Sequence, residues 1–366
     1  MRFHLLGLAH TRTTRAYLSC AFTQKVHKLA RMLTSLGHEV IHYGAAGADV
    51  PCESVVTVPE ELFQACYGTY DWRREHFRYS ADDPAMQAYL VNTTRAVNAR
   101  KQPGDFLLST FGLGQKPIFD GVDGVIKVES GIGYSGTFAP FRVFESQAWM
   151  HYIWGRYGTP GDDGLWYDAV IPNSFDPADF EIEETGADWN PGGEYYLYLG
   201  RIIPRKGIHI AAQVCERLGK RLVVAGQGRL EDAGLEHYKC IEFIGSVQDQ
   251  EIKSKLLHGA TALFCPTLYV EPFGGAAVEA MLCGTPVIAS NFGAFTETIL
   301  QGVSGFRCQN FADFCLAAEA VKSLDSARIR EYAVSRYSNQ VVGAMYGEYF
   351  RRLEAVFHGK GWYEEA

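Results

Sequence analysis

Short apolar runs rich in β-branched residues alternate with stretches of helical period along nearly the whole chain, and that alternation restricts the fold more than any other feature. Strand candidates occur at 2–9, 38–43, 54–58, 105–110, 124–128 and 168–174, with a second series at 195–200, 221–226, 241–245, 261–267 and 285–290. Helical stretches at 205–219, 248–260, 274–283 and 293–301 interleave with the second series. An amphipathic stretch at about 23–36 stops before Gly37, as helices commonly do. Runs this evenly apolar suit strands covered on both faces, and strand-then-helix order suits parallel sheets. A last helical stretch, about 340–358, has no strand after it.

At 366 residues the chain is long enough for two such sheets. The segment 176–193 is acidic, poor in β-branched residues and ends in Pro and Gly, which marks it as the passage between them. The expected class is therefore α/β, with two doubly wound domains. Open sheets of this kind bind ligands beyond the carboxyl ends of their strands, so two facing domains would enclose a site in an interdomain cleft. Apolar residues at 47% supply ample core and rule out a disordered chain. A net charge of −8 without any Lys/Arg-rich run argues against a nucleic-acid partner. The nine cysteines are scattered and include no Cys-x-x-Cys, so they signal neither a disulfide framework nor a zinc site, and a reducing, cytoplasmic compartment is expected. No apolar run approaches the length of a transmembrane span, and the N-terminal one is too short for a signal peptide.

Chemistry concentrates at two places. In 266–290 a strand ends near Pro266, a loop carries Glu271, and Gly274 and Gly275 lead into a helix holding Glu279. Consecutive glycines admit a ligand close to the backbone, and a helix start offers unbonded N–H groups and a positive dipole end. Two carboxylates there could grip the hydroxyls of a hexose and of a ribose. An acidic first turn that merely favours the helix dipole fits the same residues. In 196–214 a strand runs into a loop with Arg201, Arg205 and Lys206, then Gly207 and a helix, which is either an anion site or a solvated basic turn. Taken together, the two loops favour a ligand with both phosphate and polyol.

The segments GRIIPRKG, AGQGRLED, FIGSVQDQEI and EPFGGAAVEAMLCGTPVIASNFGAFTETI resemble the donor domain of glycosyltransferase family 4, from about Ile171 to about Phe306. Glu271 and Glu279, with seven residues between them, match that family's signature pair. The resemblance implies the GT-B architecture, two facing Rossmann-like domains. An acceptor domain would span 1–172, joined by a C-terminal helix at about 343–366, and a donor domain would span 173–342. It further implies that Glu271 and the backbone at Phe273, Gly274 and Gly275 hold the transferred sugar, and that Glu279 holds the ribose. Arg201 and Lys206 would meet the diphosphate, Gly226 and Gly228 the nucleotide, and the loop from Gly245 to Val247 the base.

The first half departs from the family pattern. Its first loop, GLAHTRTTR, carries Gly7 alone, with His10, Arg12 and Arg15 as polar candidates for donor or acceptor. VIKVESGIGYSG places Glu129 where many members have a histidine, either as a base-like or positioning group or as an ordinary loop carboxylate. The aromatic and arginine-rich stretch 67–79 reads as an acceptor platform or a solvated helix, and the aromatic run 144–158 as core or interface packing.

The implied reaction is retaining hexosyl transfer from a nucleotide sugar, GDP-mannose favoured and UDP-glucose next, to a glycan or lipid-linked acceptor. No Asp-x-Asp occurs, so no metal or other cofactor is expected, protein cations serving the leaving group instead. A homodimer stays open. Rival classes are a dehydrogenase, a sugar-nucleotide epimerase and a non-catalytic nucleotide-sugar binding protein. The dehydrogenase fingerprint Gly-x-Gly-x-x-Gly is incomplete, because Glu231 stands at the third glycine after Gly226 and Gly228.

Overall fold

The computed structural model describes residues 1–17, 20–69, 78–158, 164–181 and 192–363. The chain divides into two compact units. The first comprises Met1–Glu145, Ile153–Ser174 and Asn339–Ala366, and the second Ser146–Tyr152 and Phe175–Ser338. Apart from Ser146–Tyr152, the chain passes to the second unit after Ser174 and returns to the first after Ser338. The short segment Ser146–Tyr152 goes to the second unit although it lies within the stretch assigned to the first.

The first unit is built on seven parallel strands: β1 (Arg2–Leu6), β2 (Glu39–Ala45), β3 (Glu53–Val58), β4 (Phe106–Ser109), β5 (Ile126–Ile132), β6 (Phe141–Phe144) and β7 (Ala169–Val170). Their spatial order is β3-β2-β1-β4-β5-β6-β7. Side chains alternate between faces, and both faces are covered. Phe3, Leu5, Phe106 and Leu108 meet helices Ala21–Ser35 and Asn339–Phe357 on one face. On the other, Leu6, Tyr43 and Leu107 meet Met86, Tyr89 and Phe119. This explains why the strands read as continuously apolar. The strandless C-terminal helix completes this core, with the Phe350 ring 4.9 Å from Phe3 and 5.0 Å from Phe106.

The second unit has six parallel strands: β8 (Tyr196–Leu199), β9 (Leu222–Ala225), β10 (Ile241–Gly245), β11 (Leu263–Cys265), β12 (Val287–Ser290) and β13 (Gly305–Cys308), ordered β10-β9-β8-β11-β12-β13. Leu197, Val223, Leu263 and Val287 face Leu256, Val278, Ile329 and Tyr337 on one side. Tyr196, Val224, Phe264 and Ile288 face Ile208, Ala211 and Phe314 on the other. In each sheet the strand order reverses beside the first strand, between β1 and β4 and between β8 and β11. At such points successive loops turn to opposite faces and leave room for a ligand.

The sequence missed β6 and β13. Both are four residues long and carry an arginine, which hides a strand from a search for apolar runs. Arg142 of β6 is tolerated because Asp168 pairs with both its Nε and its Nη2. The stretch expected at 293–301 forms only the turn Phe295–Thr298, and helices Phe311–Ala320 and Ser326–Tyr337 complete the unit. None of the nine cysteines forms a disulfide, and no helix among the described residues is long and apolar enough to cross a membrane.

Candidate functional site

In the second unit, the loops after β8 and β11 meet at the reversal point. Gly207, which opens helix Ile208–Leu218, has φ +71°, and a Cβ there would lie 1.8 Å from the Pro266 carbonyl oxygen. Only glycine allows the two loops this contact. The Leu268 N–H then donates to the Arg205 carbonyl at 2.9 Å, and Lys206 Nζ reaches Glu271 Oε2 at 2.9 Å. Both side chains of that pair are mostly covered, 24% exposed for Lys206 and 11% for Glu271. Burial by itself would lower the Lys206 pKa, but the Glu271 carboxylate and Tyr269 outweigh it and hold the ammonium above its usual range. Arg205 lies over the Tyr269 ring at 4.2 Å, while Arg201 is exposed.

The loop after β12 backs Glu271, since the Ala294 N–H donates to the Glu271 carbonyl at 2.9 Å. Ser146 adds a second support, its hydroxyl donating to the Pro272 carbonyl at 2.6 Å. Glu297 in turn accepts from the backbone N–H groups of Gln147 and Ala148, each at 3.0 Å. Sequence reasoning read the run containing Ser146 as packing and gave Glu297 no part. A single serine or glutamate carries no local signal that a distant carbonyl or helix start will meet it.

Gly274 caps helix Gly275–Leu282 with φ +80° and packs its Cα side against the Phe295 ring. A Cβ at Gly275 would meet nothing within 4 Å. A cavity of about 70 Å³ lies there, lined by Lys206, Thr267, Glu271, Gly274 and Gly275 among others. The helix start, with its N–H groups lacking intrahelical partners, therefore opens on the cavity bordered by the Lys206–Glu271 pair. The Phe273 side chain belongs to the core, stacked on Phe175 at 6.3 Å, so only its backbone is available to a ligand. Among the described residues no cluster of three His, Cys, Asp or Glu is arranged to hold a metal ion.

Glu279 lies within the same helix, and its Oε1 accepts from Lys253 Nζ at 2.9 Å. Lys253 was not among the residues singled out from the sequence. The only trace there is its position beside the buried Leu256 and Leu257 on one helix, where a lysine needs a carboxylate to be tolerated. The remaining candidates follow neighbouring strands. Gly226, after β9, abuts the Gly200 carbonyl so closely that a Cβ would lie 1.8 Å from it. Gly228 packs on Ile202, Gly245 ends β10, and Val247 rests on the core. The structure thus brings Lys206, Glu271, Gly274 and Gly275 together, with Arg201, Gly226, Gly228 and Gly245 on the loops of the same carboxyl edge.

The candidates in the first unit are placed differently. Glu129 is fully buried; its Oε1 accepts from the Tyr134 hydroxyl at 3.0 Å and its Oε2 from the N–H groups of Phe138 and Ala139 at 3.0 and 3.3 Å. Burial raises its pKa, against those hydrogen bonds. The carboxylate holds the loop that follows β5. His10 is buried among Tyr67, Tyr79 and Phe111. Arg12 pairs with Glu60 at 2.6 Å and covers the Phe63 ring, and Arg15 is exposed. Residues 70–77 of the stretch weighed as an acceptor platform, with Arg73 and Arg74, lie outside the described residues.

Residues 179–339 match the family described as glycosyl transferases group 1. Similar curated proteins include a glycogen synthase of Mycobacterium tuberculosis, 33% identical over 172 residues that make up 44% of this chain and 40% of that protein. A phosphatidyl-myo-inositol mannosyltransferase of Mycolicibacterium smegmatis is 30% identical over 189 residues, 49% of either chain. The chain thus spans about half, or less, of the length of these relatives. Among solved structures, AviGT4, a glycosyltransferase involved in avilamycin A biosynthesis, superposes with a TM-score of 0.71 at 22% identity, covering 97% of this chain and 98% of its own. The sucrose-phosphate synthase of Thermosynechococcus elongatus gives 0.70 at 16%, covering 97% and 100%. The match over 179–339 agrees with the glycosyltransferase resemblance drawn from the motifs, and the solved structures share the two-sheet α/β fold.

Proposed function

We propose that this chain is a glycosyltransferase that moves a hexose from a nucleoside diphosphate sugar to a hydroxyl acceptor with retention at the anomeric carbon. The observation that carries the reading is the Lys206–Glu271 pair at the cavity onto which the Gly275 helix start opens. As the bond from the anomeric carbon to the diphosphate loosens, negative charge grows on the leaving oxygen. The Lys206 ammonium and the helix N–H groups are preorganised to receive it, an arrangement worth several kcal/mol in general, and Arg201 on the same loop extends the cationic edge. These groups would take the part that a metal plays elsewhere, and transfer is then expected to continue in the presence of a chelator.

Retention by double displacement requires a carboxylate free to attack the anomeric carbon. Glu271 is instead engaged by Lys206, which supports its acting as a holder of sugar hydroxyls. The acceptor hydroxyl then attacks on the face the phosphate leaves, and the leaving oxygen takes its proton. Glu279 grips the ribose. Glu129, a β5 residue with both carboxylate oxygens engaged by the loop that follows that strand, is read as an anchor for the loop and not as a reacting group.

Mannose from GDP-mannose is the donor favoured, supported by the likeness to the mannosyltransferase; a glucosyl donor comes second, through the likeness to the glycogen synthase. The acceptor is a glycan or a lipid-linked hydroxyl. Calorimetric titration with GDP- and UDP-linked mannose and glucose tests the donor, and binding by none of them sinks the reading. Glu279→Ala should weaken nucleotide binding, whereas Glu271→Ala should chiefly lower turnover. If both change nucleotide affinity alone and equally, the roles are misassigned.

A further inference from the structure

We propose that Lys253 is a positioning residue, holding the Glu279 carboxylate oriented for the donor's ribose; the inference rests on the nucleotide-sugar reading above. Lys253 sits on helix Gln250–Gly259 and is only 8% exposed. Another stripe of that helix is tied down. Gln250 and Ser254 donate to the Asp179 carbonyl at 3.1 and 3.2 Å, and the His258 ring lies 2.8 Å from the Phe180 carbonyl. Residues four apart share a helix face, so these bonds fix the helix against rotation. The rotation in turn sets where Lys253 points, and its ammonium meets Glu279 Oε1 at 2.9 Å.

The Glu279 side chain is 18% exposed, and its Oε2 accepts no hydrogen bond among the described residues. A carboxylate offers about four lone-pair directions on two oxygens. Lys253 uses one on Oε1 and leaves Oε2 for a ligand hydroxyl. Without the ammonium, Oε1 has no hydrogen-bond partner among the described residues, the carboxylate turns freely about its terminal torsion, and Oε2 is no longer held ready to accept from a diol. A lysine that merely fastens two helices together would affect stability but not the distinction between a ribose and a deoxyribose. That distinction separates the two roles.

The test is calorimetric titration of the full chain with GDP and UDP and with their 2′-deoxy counterparts. The unaltered protein should bind the ribonucleotides roughly tenfold tighter, the worth of one hydrogen bond to a charged group. Lys253→Met should lose most of that preference while binding the deoxy forms as before, and Lys253→Arg, which keeps the charge, should restore part of it. Retention of the full preference by Lys253→Met overturns the inference and leaves the nucleotide-sugar reading standing. Equal binding of both forms by the unaltered protein overturns it as well. If the unaltered protein binds neither nucleotide, the reading itself fails and takes the inference with it. Should Lys253→Met lose its thermal transition, Lys253→Gln carries the same comparison, and a preference kept in that variant overturns the role.

Discussion

Replacing Gly207 by alanine puts a single methyl group between Lys206 and the helix that follows it. Two costs arise, and the structure separates them. The φ of +71° is strained for any residue with a Cβ, which costs about 1 kcal/mol. The methyl would also lie 1.8 Å from the Pro266 carbonyl oxygen and 2.7 Å from its carbon, backbone atoms that cannot swing aside. Relieving that overlap moves the β8 and β11 loops apart, an overpacking cost of roughly 1–3 kcal/mol. Gly219 supplies the control. Its φ is +63°, and a Cβ there meets nothing within 4 Å, so Gly219→Ala carries the strain alone. For a domain of this size each kcal/mol lowers the unfolding midpoint by about 2–4 °C. Differential scanning calorimetry should therefore show a drop of about 3 °C for Gly219→Ala and of about 10 °C for Gly207→Ala. Donor turnover should fall in the second variant only, because the displaced loops carry Lys206 and Glu271. Equal midpoints for the two variants would refute the close approach and, with it, the reason the pair forms.

The Lys206–Glu271 pair also has a pH signature. Because the folded-state pKa of Lys206 is raised, its contribution to stability is fully present below the unfolded value near 10.5 and is lost as pH rises through the folded value. The midpoint difference between the unaltered protein and Lys206→Met should be constant around neutrality and shrink above about pH 10.5; a difference independent of pH up to 12 contradicts the pairing. In the first unit, Asp168 is wholly covered and holds both Arg142 and the Trp154 indole N–H, the latter at 2.7 Å. Asp168→Asn leaves the mostly buried Arg142 without its counter-charge and should destabilise by about 3 kcal/mol, read as a lower unfolding midpoint, whereas a loss under 1 kcal/mol would mean that water reaches the guanidinium.

Much of the fold was legible because it rests on local pattern. Buried parallel strands must be apolar on both faces, so eleven of the thirteen strands among the described residues could be found by hydrophobicity alone. β6 and β13 could not, since the partner that tolerates Arg142 in β6 lies 26 residues away. In the site, Glu271, Glu279, Lys206 and the glycines share two short segments, and their types at those spacings already suggested a phosphate and a polyol.

Which of these groups pair with which was decided only by tertiary structure. Lys206 reaches Glu271 because one glycine lets two strand-end loops touch, and Lys253 reaches Glu279 because another helix is locked in one rotation. Glu129 shows the reverse case: the sequence placed it just past the fifth strand, as a candidate for the chemistry, yet it lies inside β5, and the loop that follows folds back so that two backbone N–H groups and the Tyr134 hydroxyl occupy its oxygens. A sequence states which charges exist and what local backbone will carry them. Whether a charge meets a counter-ion, its own loop or open space depends on contacts between residues far apart in the chain, and those appear only when the sheets and helices have packed.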